Sequence, residues 1–183
     1  MRMGGGERAS RGAGAGRILA DEYSLLTPAR PEAVWRSIET MGGRNPWYSL
    51  RVLWLFRGAV DRVVGGVGLR RGRPVRARLQ AGDAVDCWRV EHVEEGRRLL
   101  LRAEMRFPGV ARLELVSEPQ RDADERIIGT RYGQRIRFQP HGVLGVLYWT
   151  AVLPVHGWVF RDVARTLVRR AERLDDARDG GAA

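Results

Sequence analysis

Leu99-Leu100-Leu101-Arg102-Ala103-Glu104-Met105-Arg106-Phe107-Pro108-Gly109-Val110-Ala111-Arg112-Leu113-Glu114-Leu115-Val116 is the stretch whose reading decides the fold. Leu99, Leu101, Ala103, Met105 and Phe107 recur at every second position, with Leu100, Arg102, Glu104 and Arg106 between them. A period of two sends alternate side chains to opposite faces of a strand, so this is a half-buried strand. Pro108-Gly109 reads as a turn, after which Ala111, Leu113 and Leu115 alternate with Arg112, Glu114 and Val116. Two such strands in succession form an antiparallel pair with a charged face toward water and an apolar face that needs a cover.

Working outward, Ala84–Val93 reads as one strand, followed by a turn at Gly96. Residues 119–125 form a polar loop, and Ile127–Phe138 is the last long strand. Its Ile128, Tyr132, Ile136 and Phe138 face one way; Arg131, Arg135 and Arg137 face the other. Residues 18–26 are a first strand. Thr27-Pro28-Ala29-Arg30-Pro31-Glu32 then turns into a helix carrying Val34, Trp35, Ile38 and Met41 and stopped by Gly42-Gly43. The spacing of Leu53, Phe56, Val60, Val63 and Val64 predicts a second helix over residues 50–64. A long helix is expected within residues 143–174. The order predicts an α+β fold: a curved antiparallel β-sheet wrapped around a long C-terminal helix, with two short helices after the first strand.

The 183 residues suit one domain over residues 18–174, between a disordered Gly/Arg-rich tail (1–17) and a disordered C-terminal tail (175–183). The single cysteine, Cys87, forms no internal disulfide, and the start of the chain lacks the apolar stretch of a secretory signal. A reducing, cytoplasmic setting is the expectation. All 32 basic residues are arginine, as a GC-rich genome would produce, which lowers the weight of any one arginine cluster. The net charge is +10, and residues 44–78 hold nine arginines against Asp61 alone.

That block contains Gly65-Gly66-Val67-Gly68-Leu69-Arg70-Arg71-Gly72-Arg73. A phosphate loop needs a Gly-Lys-Ser/Thr ending, and a dinucleotide fingerprint needs a strand before the glycines. Neither is present, so no nucleotide cofactor is expected. The remaining readings are a helix cap with solvated arginines, or a mouth where Arg70, Arg71 and Arg73 hold a carboxylate or phosphate. Trp47, Tyr48, Trp54 and Phe56 in the same block raise single-stranded nucleic acid, but no nucleic-acid motif accompanies them, and that partner is disfavoured. Val143–Phe160 holds no formal charge, yet Gly145, Pro154, His156 and Gly157 interrupt it. It is read as a buried lid helix kinked or restarted at Pro154, with integral membrane insertion disfavoured. Three scattered histidines and one cysteine give no metal-site spacing.

Several motifs together resemble an uncharacterised bacterial family. They are Trp47-Tyr48, Leu53-Trp54, Arg57-Gly58, Asp61-Arg62, the Gly65–Arg73 run and Gly82-Asp83. Asp86-Cys87-Trp88-Arg89-Val90-Glu91, Ala103-Glu104-Met105, Tyr148-Trp149 and Pro154-Val155-His156 complete the set. The family belongs to the helix-grip superfamily of START lipid-transfer domains, the birch-pollen allergen and polyketide cyclases. Some of its members carry this domain behind an NAD(P)-binding domain. Asn45-Pro46 and Arg51 depart from the pattern. The resemblance spans roughly residues 18–165 and implies a helix-grip fold with an internal pocket; it carries no established activity.

The residues expected to line that pocket are Tyr48, Trp88, Tyr132, Tyr148 and Trp149, with Gln134 and His156 as polar contacts and Arg70 and Arg71 at the mouth. Alternation puts Asp86 and His92 on the side of Trp88 and Val90, with Cys87, Arg89 and Glu91 outward. An inward Asp86 is the candidate acid or base for a cyclase- or dehydratase-like proton transfer. Each has a structural alternative: Asp86 bonded to backbone or arginine, Tyr132 and Gln134 as satisfied core polars, His156 as a packing histidine. The expected partner is a small hydrophobic or amphipathic molecule, and a homodimer is allowed. The competing function is an accessory domain with a filled core, presenting its 44–78 surface to nucleic acid, membrane or protein.

Overall fold

The computed structural model describes residues 18–43, 45, 47, 62, 72–74 and 78–180. The expected 1–17 tail and the Gly65–Arg71 run lie outside the described residues, as does the helix expected at 50–64 but for Arg62. The described residues form a curved antiparallel sheet with strands β1 (Leu19–Thr27), β2 (Ala84–Val85), β3 (Trp88–Glu94), β4 (Arg98–Ala103), β5 (Gly109–Arg121) and β6 (Ile127–Pro140). Their order is β1-β6-β5-β4-β3-β2. Helix α1 (Pro31–Glu39) follows β1, and the long α2 (Gly142–Asp179) closes the chain against the inner face of the sheet.

Register follows from the alternating pattern. Leu113 pairs with both Leu101 and Ile136, and Leu115 with Leu99 and Gln134, so the leucines stack in rows across the inner face. These rows are buried. The outer face is laced by Arg89–Glu104, Arg112–Glu91, Arg98–Glu114 and Arg135–Glu22 pairs. Half-exposed pairs of this kind contribute only tenths of a kcal/mol each, roughly, so burial of the inner rows dominates.

Helix α1 opens with Pro31 and Glu32 in its first turn, where a missing N–H costs nothing and an acidic charge meets the helix dipole. Its buried face lies on α2, and Ser37 Oγ donates to the Leu167 carbonyl at 2.7 Å. Gly145 brings the start of α2 close to the β4–β5 turn: a Cβ there would overlap the Pro108 carbonyl oxygen and Pro140.

Five expectations are corrected. Ala84–Val93 is two strands, because Asp86 and Cys87 form a tight turn that pairs Val85 with Trp88. Cys87 in that turn is buried rather than outward. His92 is exposed, because an irregularity between Val90 and His92 inserts one residue and hands the inward position to Val93. Ile128 is exposed; Gly129 follows it at φ +155 against the Thr27 carbonyl, and the β5–β6 register shifts there. The expected tail from residue 175 is helical to Asp179, because Arg30 reaches back to hold it: its N–H and Nε bond Asp175 at 2.9 and 2.7 Å, and Nη2 pairs with Asp179.

Helix α2 runs unbroken through Pro154 instead of restarting. It is buried on one face only, by Gly145, Trp149, Phe160, Val163, Ala164, Leu167, Val168 and Ala171. Val143, Leu144, Leu147, Leu153, Val155 and Trp158 are exposed, so the lid helix is apolar on both sides.

Candidate functional site

One inner-face row differs from the rest. Trp88 pairs with Ala103, and Ala111 pairs with Phe138. Continuing the β4–β5 register one step past Arg102↔Arg112 brings Ala103 beside Ala111. Where the next row holds Leu101 and Leu113, this one holds two methyl groups between an indole and a phenyl ring. This row therefore carries less side-chain volume than its neighbours, at the end of the sheet that faces the start of α2. Ala103, Met105, Phe107 and Tyr148 at that end are only partly buried, whereas Leu99, Leu101 and Leu115 further in are sealed.

An aromatic wall stands on the α2 side. Phe107 stacks on Tyr148 with ring centroids 5.8 Å apart, and Phe138 stacks on Trp149 at 5.3 Å. His156 follows, 5.2 Å from the Trp149 ring and 4.9 Å from Phe160. Its Nδ1 lies 3.4 Å from Asp21 Oδ2 on β1, at ion-pair distance but without an aligned hydrogen bond. Burial holds the imidazole below its ordinary pKa, outweighing the opposite pull of Asp21. The ring is therefore neutral at pH 7.

Tyr132 and Gln134 lie deeper. The Tyr132 hydroxyl donates to Gln134 Oε1 at 2.8 Å, and Gln134 Nε2 donates to the Phe160 carbonyl at 2.6 Å. Both side chains are fully buried, and burial pushes the phenol above its ordinary range. This chain of bonds ties β6 to α2 under the aromatic wall, so these two act as satisfied core polars.

Trp88 closes the opposite side. It packs edge-on against Trp47 at 6.4 Å, and its buried Nε1–H has no hydrogen-bond partner among the described residues. A buried N–H without an acceptor costs about 1–3 kcal/mol, so such a group commonly marks a place where something else supplies the acceptor.

Asp86 is buried and belongs to a different task. Its carboxylate accepts from Trp47 Nε1 (2.9 Å), Gly43 N (3.1 Å) and Gly72 N (3.3 Å), while its own N–H donates to the Gly72 carbonyl at 2.8 Å. One side chain thus gathers the chain after α1, the chain before β2 and the β2–β3 turn. Three donors occupying its oxygens favour the holding role over a proton-transfer role.

Of the expected site residues, the structure brings Tyr148, Trp149 and His156 into one wall, with Tyr132 and Gln134 beneath it and Trp88 at the far end of the alanine row. Tyr48, Arg70 and Arg71 lie outside the described residues. Sequence reasoning passed over Phe107, Phe138, Ala103 and Ala111 as site residues. The signal was present: alanines stand at corresponding inward positions of two neighbouring strands otherwise filled by leucine. Among the described residues no group of His, Cys, Asp and Glu side chains could hold a metal ion.

Residues 15–163 match the family described as "Protein of unknown function (DUF2867)". The chain belongs to that family. No curated protein matches it in sequence. Among solved structures, this DUF2867 chain is similar to the Zhui aromatase/cyclase of a Streptomyces species, with TM-score 0.50 and 12% identity over 86% of this chain and 95% of that one. It is also similar to a protein of unknown function from Staphylococcus aureus, with TM-score 0.50 and 9% identity over 91% of this chain and 98% of that one. At such identities the likeness shows the fold alone, and it bears out the helix-grip architecture of this DUF2867 domain.

Proposed function

We propose that the protein binds a small hydrophobic or amphipathic molecule in a hollow between the inner face of the sheet and the first half of α2. The row Trp88–Ala103–Ala111–Phe138 carries this reading, because two methyl groups stand where neighbouring rows place leucines. Apolar walls supply the binding energy, about 25 cal/mol per Å² of apolar surface removed from water. A few polar groups set orientation. The Trp88 indole N–H, unpartnered among the described residues, supports a role as donor to an acceptor on the ligand, with the partly exposed His156 as the second polar contact. Arg70 and Arg71 are assigned to an anionic end of the molecule at the mouth. The fold shared with an aromatase/cyclase supports a binding role without assigning a reaction.

Native mass spectrometry of the purified chain, alone and after exposure to a cell lipid extract, tests this. The reading predicts a bound mass of small-molecule size that is lost on unfolding. A chain that stays at its bare mass after exposure contradicts it and favours the filled-core accessory domain.

A further inference from the structure

The outer face of α2 changes character along its length. Over its first half Val143, Leu144, Leu147, Val155 and Trp158 are 75, 72, 59, 45 and 59% exposed. At 100° per residue they fall within one 120° sector, opposite Trp149 and Phe160. Not one residue from 142 to 160 is charged. From Arg161 onward the same sector carries exposed Arg161, Arg165, Arg169 and Arg173; of the acids in this half, Asp162 and Glu172 are half-buried, Asp175 and Asp179 are paired with Arg30, and Asp176 is exposed. An exposed apolar strip of this extent marks an interaction surface.

We propose that this face of α2 docks flat onto a membrane surface carrying anionic headgroups. The apolar strip enters the boundary of the acyl chains, Trp158 lies at headgroup level, and the arginines that continue the strip meet the acidic headgroups. Residues 143–158 cover about 22 Å at 1.5 Å per residue, short of a hydrocarbon core of roughly 30 Å. The opposite face buries Trp149, Phe160, Val163 and Leu167 in the core, so the helix lies on the bilayer rather than across it. Charge decides against a second copy of the chain. Antiparallel pairing through the strip would set Arg161 against the positive end of the other helix. Parallel pairing would set arginine against arginine, and residues 142–160 hold no carboxylate to receive either. The proposal stands whether or not the hollow binds a ligand.

Co-sedimentation with vesicles of phosphatidylcholine alone, or of phosphatidylcholine with phosphatidylglycerol, tests it on the full chain. The expected result is sedimentation with the anionic vesicles, at least tenfold weaker with phosphatidylcholine alone and falling as salt rises. Arg161→Glu and Leu147→Glu change exposed positions and leave the melting temperature unchanged. The first weakens binding at least fivefold, roughly what removing one arginine near the surface costs. The second weakens it about tenfold or more by placing a charge in the apolar strip. Absence of sedimentation with both vesicle types overturns the proposal, as does equal binding to both or unchanged binding by Leu147→Glu. A dimer in analytical ultracentrifugation that Leu147→Glu dissociates also overturns it, by assigning the face to a second copy.

Discussion

At φ +53, Asp86 is one of two non-glycine residues described in the left-handed region, where aspartate is better tolerated than most side chains. Its carboxylate then points at three donors: Trp47 and the backbone N–H groups of Gly43 and Gly72. Asp86→Asn keeps the shape and the turn but turns one acceptor into a donor facing a donor. The expected loss is about 1–3 kcal/mol of unfolding free energy, measured by urea denaturation. A variant as stable as the parent would show that the clasp carries no weight. The inward direction of Tyr132, Gln134 and Trp88 was legible in period-two alternation. The partners of Asp86 were not, because two of the three are backbone groups 14 and 43 positions away that no side-chain pattern records. His92 and Ile128 were misplaced for local reasons: an inserted residue shifts the alternation at His92, and the kink at Gly129 turns the strand end before it, Ile128 included, out to solvent.

Among the elements, α2 shows most plainly what periodicity can and cannot say. Its existence was legible in the order of elements; which of its faces is buried, through Trp149, Phe160, Leu167 and Ala171, was not. Nor was its end, because Asp175-Asp176-Ala177-Arg178-Asp179 reads as a solvated tail until Arg30, some 145 residues earlier, is folded against it. Burial raises the Asp175 carboxyl, but the Arg30 N–H and guanidinium outweigh that and hold it below its ordinary 3.8. A carboxyl with a depressed folded pKa stabilises the native state above its unfolded value, and the gain is lost as pH falls through the folded value. Asp175→Asn therefore lowers the melting temperature at pH 7 by about 2–4 °C, and the difference from the parent shrinks below pH 4. A constant difference across that range would place the effect elsewhere. An uncharged run such as 143–160 reports apolarity but not which faces are covered, and for that reason the exposed outer face of α2 was hidden in a segment that read as a buried lid.

At the scale of the whole molecule, the account rests on a sheet whose inner rows hold leucines at one end and a pair of alanines at the other. Helix α1 packs on the second half of α2 through Ser37 and its buried neighbours, while the first half sets Tyr148 and Trp149 against Phe138 of β6. The antiparallel sheet and its covering helix were legible from alternation and the order of elements. The alanine row was not, because it depends on a register that sets Ala103 beside Ala111, and residues in one strand do not state which residue of the next they meet. Titration of the parent and Ala103→Phe with an apolar fluorophore tests the hollow most directly. The phenyl ring fills the space between Trp88 and Phe138 without touching the sealed rows beyond. The parent is expected to bind with saturable enhancement, and Ala103→Phe to bind at least tenfold more weakly, by roughly the transfer energy of one buried aromatic-sized contact, while unfolding at an unchanged temperature. Equal binding by a folded Ala103→Phe would contradict the account.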